Sequence, residues 1–412
     1  MTESSIKAPA FRSAFRHRSY ALFWSARLGS WLAEQMQAVA VGWQMYELTG
    51  DPLDLGLVGL FQFLPTLALS LVAGQVVDSF DRRRILAGAL ALQTAAVGAL
   101  FALTAAGAAT PGLIFAVVFA IGLAKAFAGP AQSALISAVV PAEDLPNAIA
   151  WNSTAMQTAT IGGPALGGML YLAGPAVVYG VGTLLLSVAV VLVAALRPRA
   201  VELSARGVSW GSLLAGVRFI GSRPAILGAI SLDMVAVMLG GAVALLPVYA
   251  KDILFVGPWG LGLLRSAPAL GALLTAVALA RWSVKRHAGW HLLGAVAAFG
   301  AGTVLFGLST DAALSGVALF LLGAADEVSV FVRQTLIQLA TPDQMRGRVG
   351  AVSGLFIGAS NQLGAFESGV TAAWFGVVPA VVLGGVGSIV VAVLWAWRFP
   401  DLRRIDRLLS IR

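Results

Sequence analysis

Long apolar stretches separated by short polar gaps recur along this 412-residue chain. Twelve of them reach the roughly 20 residues a helix needs to cross a bilayer. Their approximate limits are 20–48, 53–77, 84–106, 111–138, 146–172, 175–196, 224–250, 256–280, 289–308, 312–339, 349–375 and 378–399. Continuous runs of this length predict helices, because the strands of a membrane barrel alternate in polarity over about 10 residues. The longest polar interruption, Arg197 to Arg223, divides the spans six and six. The expected fold is an all-α polytopic membrane protein with twelve transmembrane helices in two pseudo-symmetric six-helix bundles. The bundles cover 1–196 and 224–412, joined by a linker over 197–223. Within the linker Trp210, Leu213, Leu214, Val217 and Ile220 follow helical spacing behind a Ser209 cap, which predicts a short amphipathic helix on the inner membrane surface.

An offset of 200 residues relates the halves. PAEDLPNAIA from Pro141 aligns with TPDQMRGRVG from Thr341, in the loops after the fourth and tenth spans. Parallel repeats of this kind are a transporter signature.

Charge orients the spans. Of 27 Lys and Arg residues, 22 fall in every second gap, including Lys7 to Arg18, Arg82 to Arg84, the linker, Arg281 to Arg286, Arg346 with Arg348, and Arg398 to Arg412. Short basic loops stay in the cytoplasm, so both termini are expected there, in a plasma (bacterial inner) membrane. The +8 net charge is therefore a topology signal that favours contact with anionic lipid, and nucleic-acid binding is not implied. The absence of Cys excludes disulfides and thiolate chemistry. The hydrophilic opening residues carry no apolar core, so no removable signal peptide is expected. His17, His287 and His291 lie in or near cytoplasmic segments and form no midplane metal site or triad. No phosphate-cradling GxxxxGK[ST] is present. Neither an enzyme nor a metal or other cofactor is indicated.

Several segments resemble the major facilitator superfamily, and within it the drug and siderophore exporters that include macrolide efflux and enterobactin export proteins. GQVVDSFDRRR, from Gly74 to Arg84, is similar to the superfamily's loop between spans 2 and 3. Gly74, Asp78, Arg82 and Arg83 match, while Ser79 and Asp81 replace a basic residue and a glycine. GGPALGG (Gly162, Gly163, Pro164, Gly167, Gly168) resembles the span 5 motif of proton-coupled exporters, and the IGASNQLGAFESG stretch of span 11 adds to the likeness. The resemblance implies a monomer working by alternating access. It makes Asp78 part of a cytoplasmic gate that locks the outward-facing state, and it lines a central cavity with spans 1, 4, 7 and 10. Read from the residues alone, DRRR could be a solvated stop-transfer cluster and GGPALGG plain helix packing.

Nine ionisable residues fall inside spans, where each is costly unless it faces protein, water or a partner: Arg27, Glu34, Lys125, Asp233, Arg265, Asp326, Glu327, Arg333 and Glu367. Seven of them are in spans 1, 4, 7 and 10. Arg27 shares a helix face with Glu34, and Asp326 with Arg333, which puts each acid near the midplane and its Arg about 10 Å toward the cytoplasm. Lys125 is expected to pair with Asp326 or Glu34 in one state and be released in another, against the alternative of a permanent structural pair. Glu34, Asp326 and Glu327 are the candidate proton carriers, with Arg27, Lys125, Asp233 and Arg333 as cavity charge partners. Asp233 and Glu367, nearer the membrane faces, are expected to be solvated or to cap helices. Trp31, Gln37, Trp43, Gln44, Asn361 and Gln362 are candidates for stacking and hydrogen bonding to an amphipathic substrate. The expectation is a secondary exporter of small amphipathic molecules driven by proton antiport. A lipid or metabolite carrier by uniport or symport, and a non-transporting receptor or scaffold, are the alternatives.

Overall fold

Turn chemistry sets the helix ends. Gly50, with φ of +64°, closes the first helix in the left-handed region. Asp51 then caps the second by accepting a hydrogen bond from the Leu53 amide at 2.8 Å, and Pro52 occupies its first turn. Pro111, Pro175 and Pro224 start later helices in the same way, where the missing N–H costs nothing. In this computed structural model the described residues are 12–199, 210–282, 284 and 286–406. They form twelve spans. Spans 1 to 6 are Arg18–Thr49, Pro52–Ser79, Arg82–Ala105, Pro111–Val139, Leu145–Tyr171 and Pro175–Ala194. Spans 7 to 12 are Pro224–Ile253, Gly257–Arg281, Ala288–Leu308, Ala312–Ala340, Asp343–Phe375 and Val377–Arg398.

Nine of these are long and apolar enough to cross a membrane by composition alone; spans 1, 5 and 11 are not among the nine. Some of their polar residues, such as Glu34, Gln35, Gln37, Asn361 and Gln362, line central cavities in place of facing lipid. Span 7 departs from the continuous helix expected over 224–250. It stops at Leu239, and Gly240 and Gly241 lead into a 3₁₀ turn (Ala242–Leu245), a single helical turn and a π turn (Tyr249–Ile253). Two glycines followed by Pro247 cannot sustain the helical hydrogen-bond ladder, and the segment bends until Pro247 reaches Gly42 of span 1.

The halves repeat one packing scheme. Span 1 packs on spans 5 and 6, span 2 on span 4, and span 3 on spans 4 and 6; spans 7 to 12 reproduce every one of these contacts. In each half a proline in the second span (Pro65, Pro268) meets a glycine of the fourth (Gly122, Gly323), where a side chain would collide with the kinked backbone. Between halves, span 2 meets span 11 and span 5 meets span 8, the exchange that a two-fold axis along the membrane normal requires.

The linker helix Trp210–Gly221 forms as its periodicity predicts; the proposed Ser209 cap lies outside the described residues. Ile220 is buried in a cluster with Ile226, Ile337, Val349 and Val352, so this helix docks on the base of span 11. Leu214 and Val217 stay exposed, as a membrane-surface helix needs.

Candidate functional site

Helix direction defines two faces: a terminal face, with the linker and the loops after spans 2, 4, 8 and 10, and a far face with the remaining loops. At the far face the halves are in close contact. A side chain on Gly56 would lie 3.0 Å from the Ala365 carbonyl oxygen, and one on Gly369 would lie 2.9 Å from the Gly56 Cα. Gly168 and Gly262 approach each other in the same way, and nearby the Ser266 hydroxyl donates to the Ile161 carbonyl at 2.7 Å. The Tyr46 hydroxyl donates to Asp252, and Lys251 sits 5.2 Å above the Tyr46 ring, tying the ends of spans 1 and 7 together. Toward the terminal face no such contacts between the halves are seen at Gly74, Gly350, Gly354 and Gly358, which have open space where a side chain would stand, and the exposed hydroxyls of Thr154 and Thr158 bond back to their own helix.

Two adjoining cavities, of about 260 and 490 Å³, occupy the middle. Gln35, Ala244, Arg265, Gln362 and Ala365 line both. Their combined space matches a small organic ligand. In the first, Lys125 Nζ lies 2.5 Å from Glu34 Oε1 and also donates to Gln62 Oε1 at 3.3 Å. These side chains are 24% and 35% exposed, so the pair faces the cavity. Glu34 is thus the acid that Lys125 meets; Asp326 lines the second cavity without an ion pair among the described residues.

Arg333 pairs with Asp233 of span 7 at 3.1 Å, both almost fully buried, and not with Asp326 on its own helix. The expectation that Asp233 is solvated or a cap is therefore corrected: it is the counter-charge of Arg333, brought near because span 7 packs against span 10. Glu367 hydrogen-bonds the Thr371 hydroxyl on its own helix. Glu327 is half-buried and lines neither cavity.

The aromatic and amide candidates divide. Gln37, Asn361 and Gln362 line the cavities. Trp43 and Gln44 do not: Trp43 donates to Glu47 at 2.6 Å, and Gln44 accepts from Tyr179 and donates to Thr104 inside the first bundle. Trp31 lies under the Arg27 guanidinium, 4.2 Å from its ring centre, and lines neither cavity. One helix face of span 1 is divided between the cavity and spans 5 and 6, and helical spacing alone does not separate the two. Gln35, Gln62 and Arg265 complete the cavity and were absent from the sequence-derived candidates. Arg265 carried a signal, as a charge inside an apolar span, but it lies outside the span 1, 4, 7 and 10 set.

The loop motif is anchored in part. Arg83 donates to the Leu196 carbonyl at 2.7 Å and Arg82 to that of Ala134 at 3.5 Å, gripping the ends of spans 6 and 4. Asp78 has no ion pair among the described residues. In GGPALGG, Gly163 and Gly167 receive Gln35 and Met36 of span 1, Gly168 receives span 8, and Gly162 faces open space. The motif is thus a packing seam that carries span 5 across the interface between halves.

The family model described as transmembrane secretion effector matches residues 10–410. An enterobactin exporter of Escherichia coli O6:K15:H31 is 27% identical over 96% of this chain and 93% of its own length. That of Shigella dysenteriae serotype 1 is 26% identical over the same shares. Among solved structures, a bacterial homologue of the lysosomal transporter Spinster, inward-facing and occupied, superposes with a TM-score of 0.73 at 15% identity, covering 94% of this chain and 97% of that one. A bacterial homologue of the iron transporter ferroportin, also inward-facing, gives 0.68 at 18% identity over 93% and 99%.

Proposed function

This chain belongs to the transmembrane secretion effector family of the major facilitator superfamily, and we propose that it is a secondary active exporter of small amphipathic molecules of the drug or siderophore class. It is an integral membrane transporter and not an enzyme. The bundles 1–196 and 224–412 rock about the central cavity as a monomer in the bacterial inner membrane, with the termini and the 197–223 linker cytoplasmic. One observation carries this reading: a polar cavity between two repeats, with close contacts between the halves at the far face. Substrate enters from the cytoplasm in this state and leaves when the far-face contacts part. The enterobactin exporters among its relatives support the siderophore class.

Proton antiport supplies the drive. Glu34 is the first-choice carrier, with Asp326 and Glu327 as the others: protonating Glu34 removes the charge that holds Lys125 and frees the cation to reorient. One proton crossing about 100 mV yields roughly 2.3 kcal/mol, equivalent to a gradient of about 50-fold. Asp78 is free in the open state and engages a helix end when the terminal face closes, with Arg82 and Arg83 holding its loop in place. The test is uphill transport in proteoliposomes against a panel of drugs and siderophores, with and without an imposed pH gradient. Export of at least one compound that requires the gradient is expected; gradient-independent equilibration of every transported compound would overturn antiport.

A further inference from the structure

Three acids and three bases line the cavities, but only two pairs of them are in contact. Lys125 is matched by Glu34 and Arg333 by Asp233. Asp326 and Arg265 remain, neither with an ion pair among the described residues. Of the two, Arg265 lines both cavities at the place where spans 5 and 8 bring the halves together, and among the described residues it has no ion pair, hydrogen bond or aromatic ring over it. Its nitrogens are not among the sealed, unpartnered atoms, as Nε of Arg27 and Nε of Arg333 are, so its guanidinium opens onto the cavity. Around it stand neutral amides, Gln35, Gln362 and Asn361, and the apolar wall formed by Phe299 and Leu322.

An unmatched cation in a low-dielectric site gains most from an anion that arrives with the ligand. We infer that Arg265 is the anchor for an anionic group, a carboxylate or sulfonate, on an amphipathic substrate whose apolar part lies toward Phe299. The planar guanidinium offers two parallel N–H donors to such a group, which fixes its orientation as well as its charge. This assignment rests on reading the cavity as the transport site, and it narrows the substrate class to molecules that carry an anionic group.

The experiment uses two probes with one ring system, 1-anilinonaphthalene-8-sulfonate and the uncharged N-phenyl-1-naphthylamine. Each is titrated by fluorescence into the full-length protein in phosphatidylcholine nanodiscs, with empty discs subtracted. The parent should bind the sulfonate saturably and more tightly than the neutral probe. Arg265→Gln should weaken the sulfonate by about tenfold or more and leave the neutral probe within about twofold, with Arg265→Lys between. Thermal unfolding supplies a second readout. Without probe, Arg265→Gln should melt at or above the parent temperature because no partner is lost, and the sulfonate should raise the melting temperature of the parent alone. Lack of saturable sulfonate binding by the parent, equal sulfonate affinity in Arg265→Gln, or equal loss of both probes would each overturn the assignment. The assay involves no gradient and no direction. A protein that anchors the sulfonate on Arg265 yet moves nothing uphill therefore overturns the export reading and leaves this one standing.

Discussion

The two halves each place a carboxylate on their first span and a cation on their fourth, Glu34 with Lys125 and Asp233 with Arg333, yet the pairs differ in what surrounds them. The first has side chains 24% and 35% exposed to the cavity; the second has 2% and 6%. Depth differs as well. Asp233 lies about 14 Å into its helix from Pro224, whereas Glu34 lies about 24 Å in from Arg18. At the shallower level the first half carries Arg27, which rests on Trp31 and Phe23 in place of a carboxylate. A pair this little exposed is a clamp even though both residues border the second cavity, because neither charge is well solvated if the other leaves. A pair that already touches cavity water can exchange partners, and this is what coupling to a proton or a substrate needs.

The comparison breaks most directly at Arg333. Arg333→Gln leaves the almost fully buried Asp233 without its counter-charge and should cost about 3–5 kcal/mol, read as a large fall in melting temperature in detergent. The double variant Asp233→Asn with Arg333→Gln should recover most of that loss. A double variant as unstable as the single would show that the site is not a simple ion pair. Glu34→Gln should cost only about 1 kcal/mol, since cavity water can solvate Lys125. Its effect is functional: substrate counterflow should survive while uphill efflux on an imposed pH gradient is lost. If uphill efflux persists, the exchangeable pair is not the coupling site.

The far-face lock gives a smaller effect. Tyr46→Phe removes the hydroxyl that donates to Asp252 and should shift the balance toward a far-face-open state by about 1 kcal/mol, roughly fivefold. Spin labels on cysteines placed at Leu48 and Phe255, in a chain that has no native Cys, would report that shift as a longer distance population. An unchanged distance distribution would remove Tyr46 from the lock.

The smallest effect is at the N-terminal segment, where Phe15 packs edge-on against Trp24 and Trp151 and His17 lies 2.7 Å from Asp144. The neighbouring Ser13 and the His17 ring hold the Asp144 carboxyl below its usual range. A depressed carboxylate stabilises the docked segment above its unfolded value of about 3.9, and that contribution is lost as pH falls through the lower folded value. Emission from Trp24 and Trp151 should therefore stay constant down to about pH 4 and change below it. Asp144→Asn should abolish the acid transition; its persistence there would assign it to another group.

Much of the fold was legible because membrane insertion reads local properties. Length, apolarity and the placement of Arg and Lys mark the spans, and the glycines and prolines of the turns mark their ends. The same locality explains what was missed. Trp43 and Gln44 look like cavity residues on a polar helix face, but Glu47 on their own helix and Tyr171, Tyr179 and Thr104 on other spans engage them. Gln62 is one amide in an apolar run until Lys125 reaches it. The break in span 7 was written in Gly240, Gly241 and Pro247, but its consequence, closure of the cavity against span 1, depends on contacts some 200 residues apart.

The sequence by itself determined twelve spans, their division into two halves, and which charges must find a partner inside the membrane. Those outcomes depend on the free energy of moving each segment from water to lipid, and that energy is set residue by residue. Only the tertiary structure decided which charges cancel. Arg333 had Asp326 and Glu327 on its own helix and paired with Asp233 across a helix interface; Lys125 took Glu34; Arg265 was left facing the cavity. An ion pair forms over a few ångströms, and side chains on different helices come that close only after the whole bundle has packed.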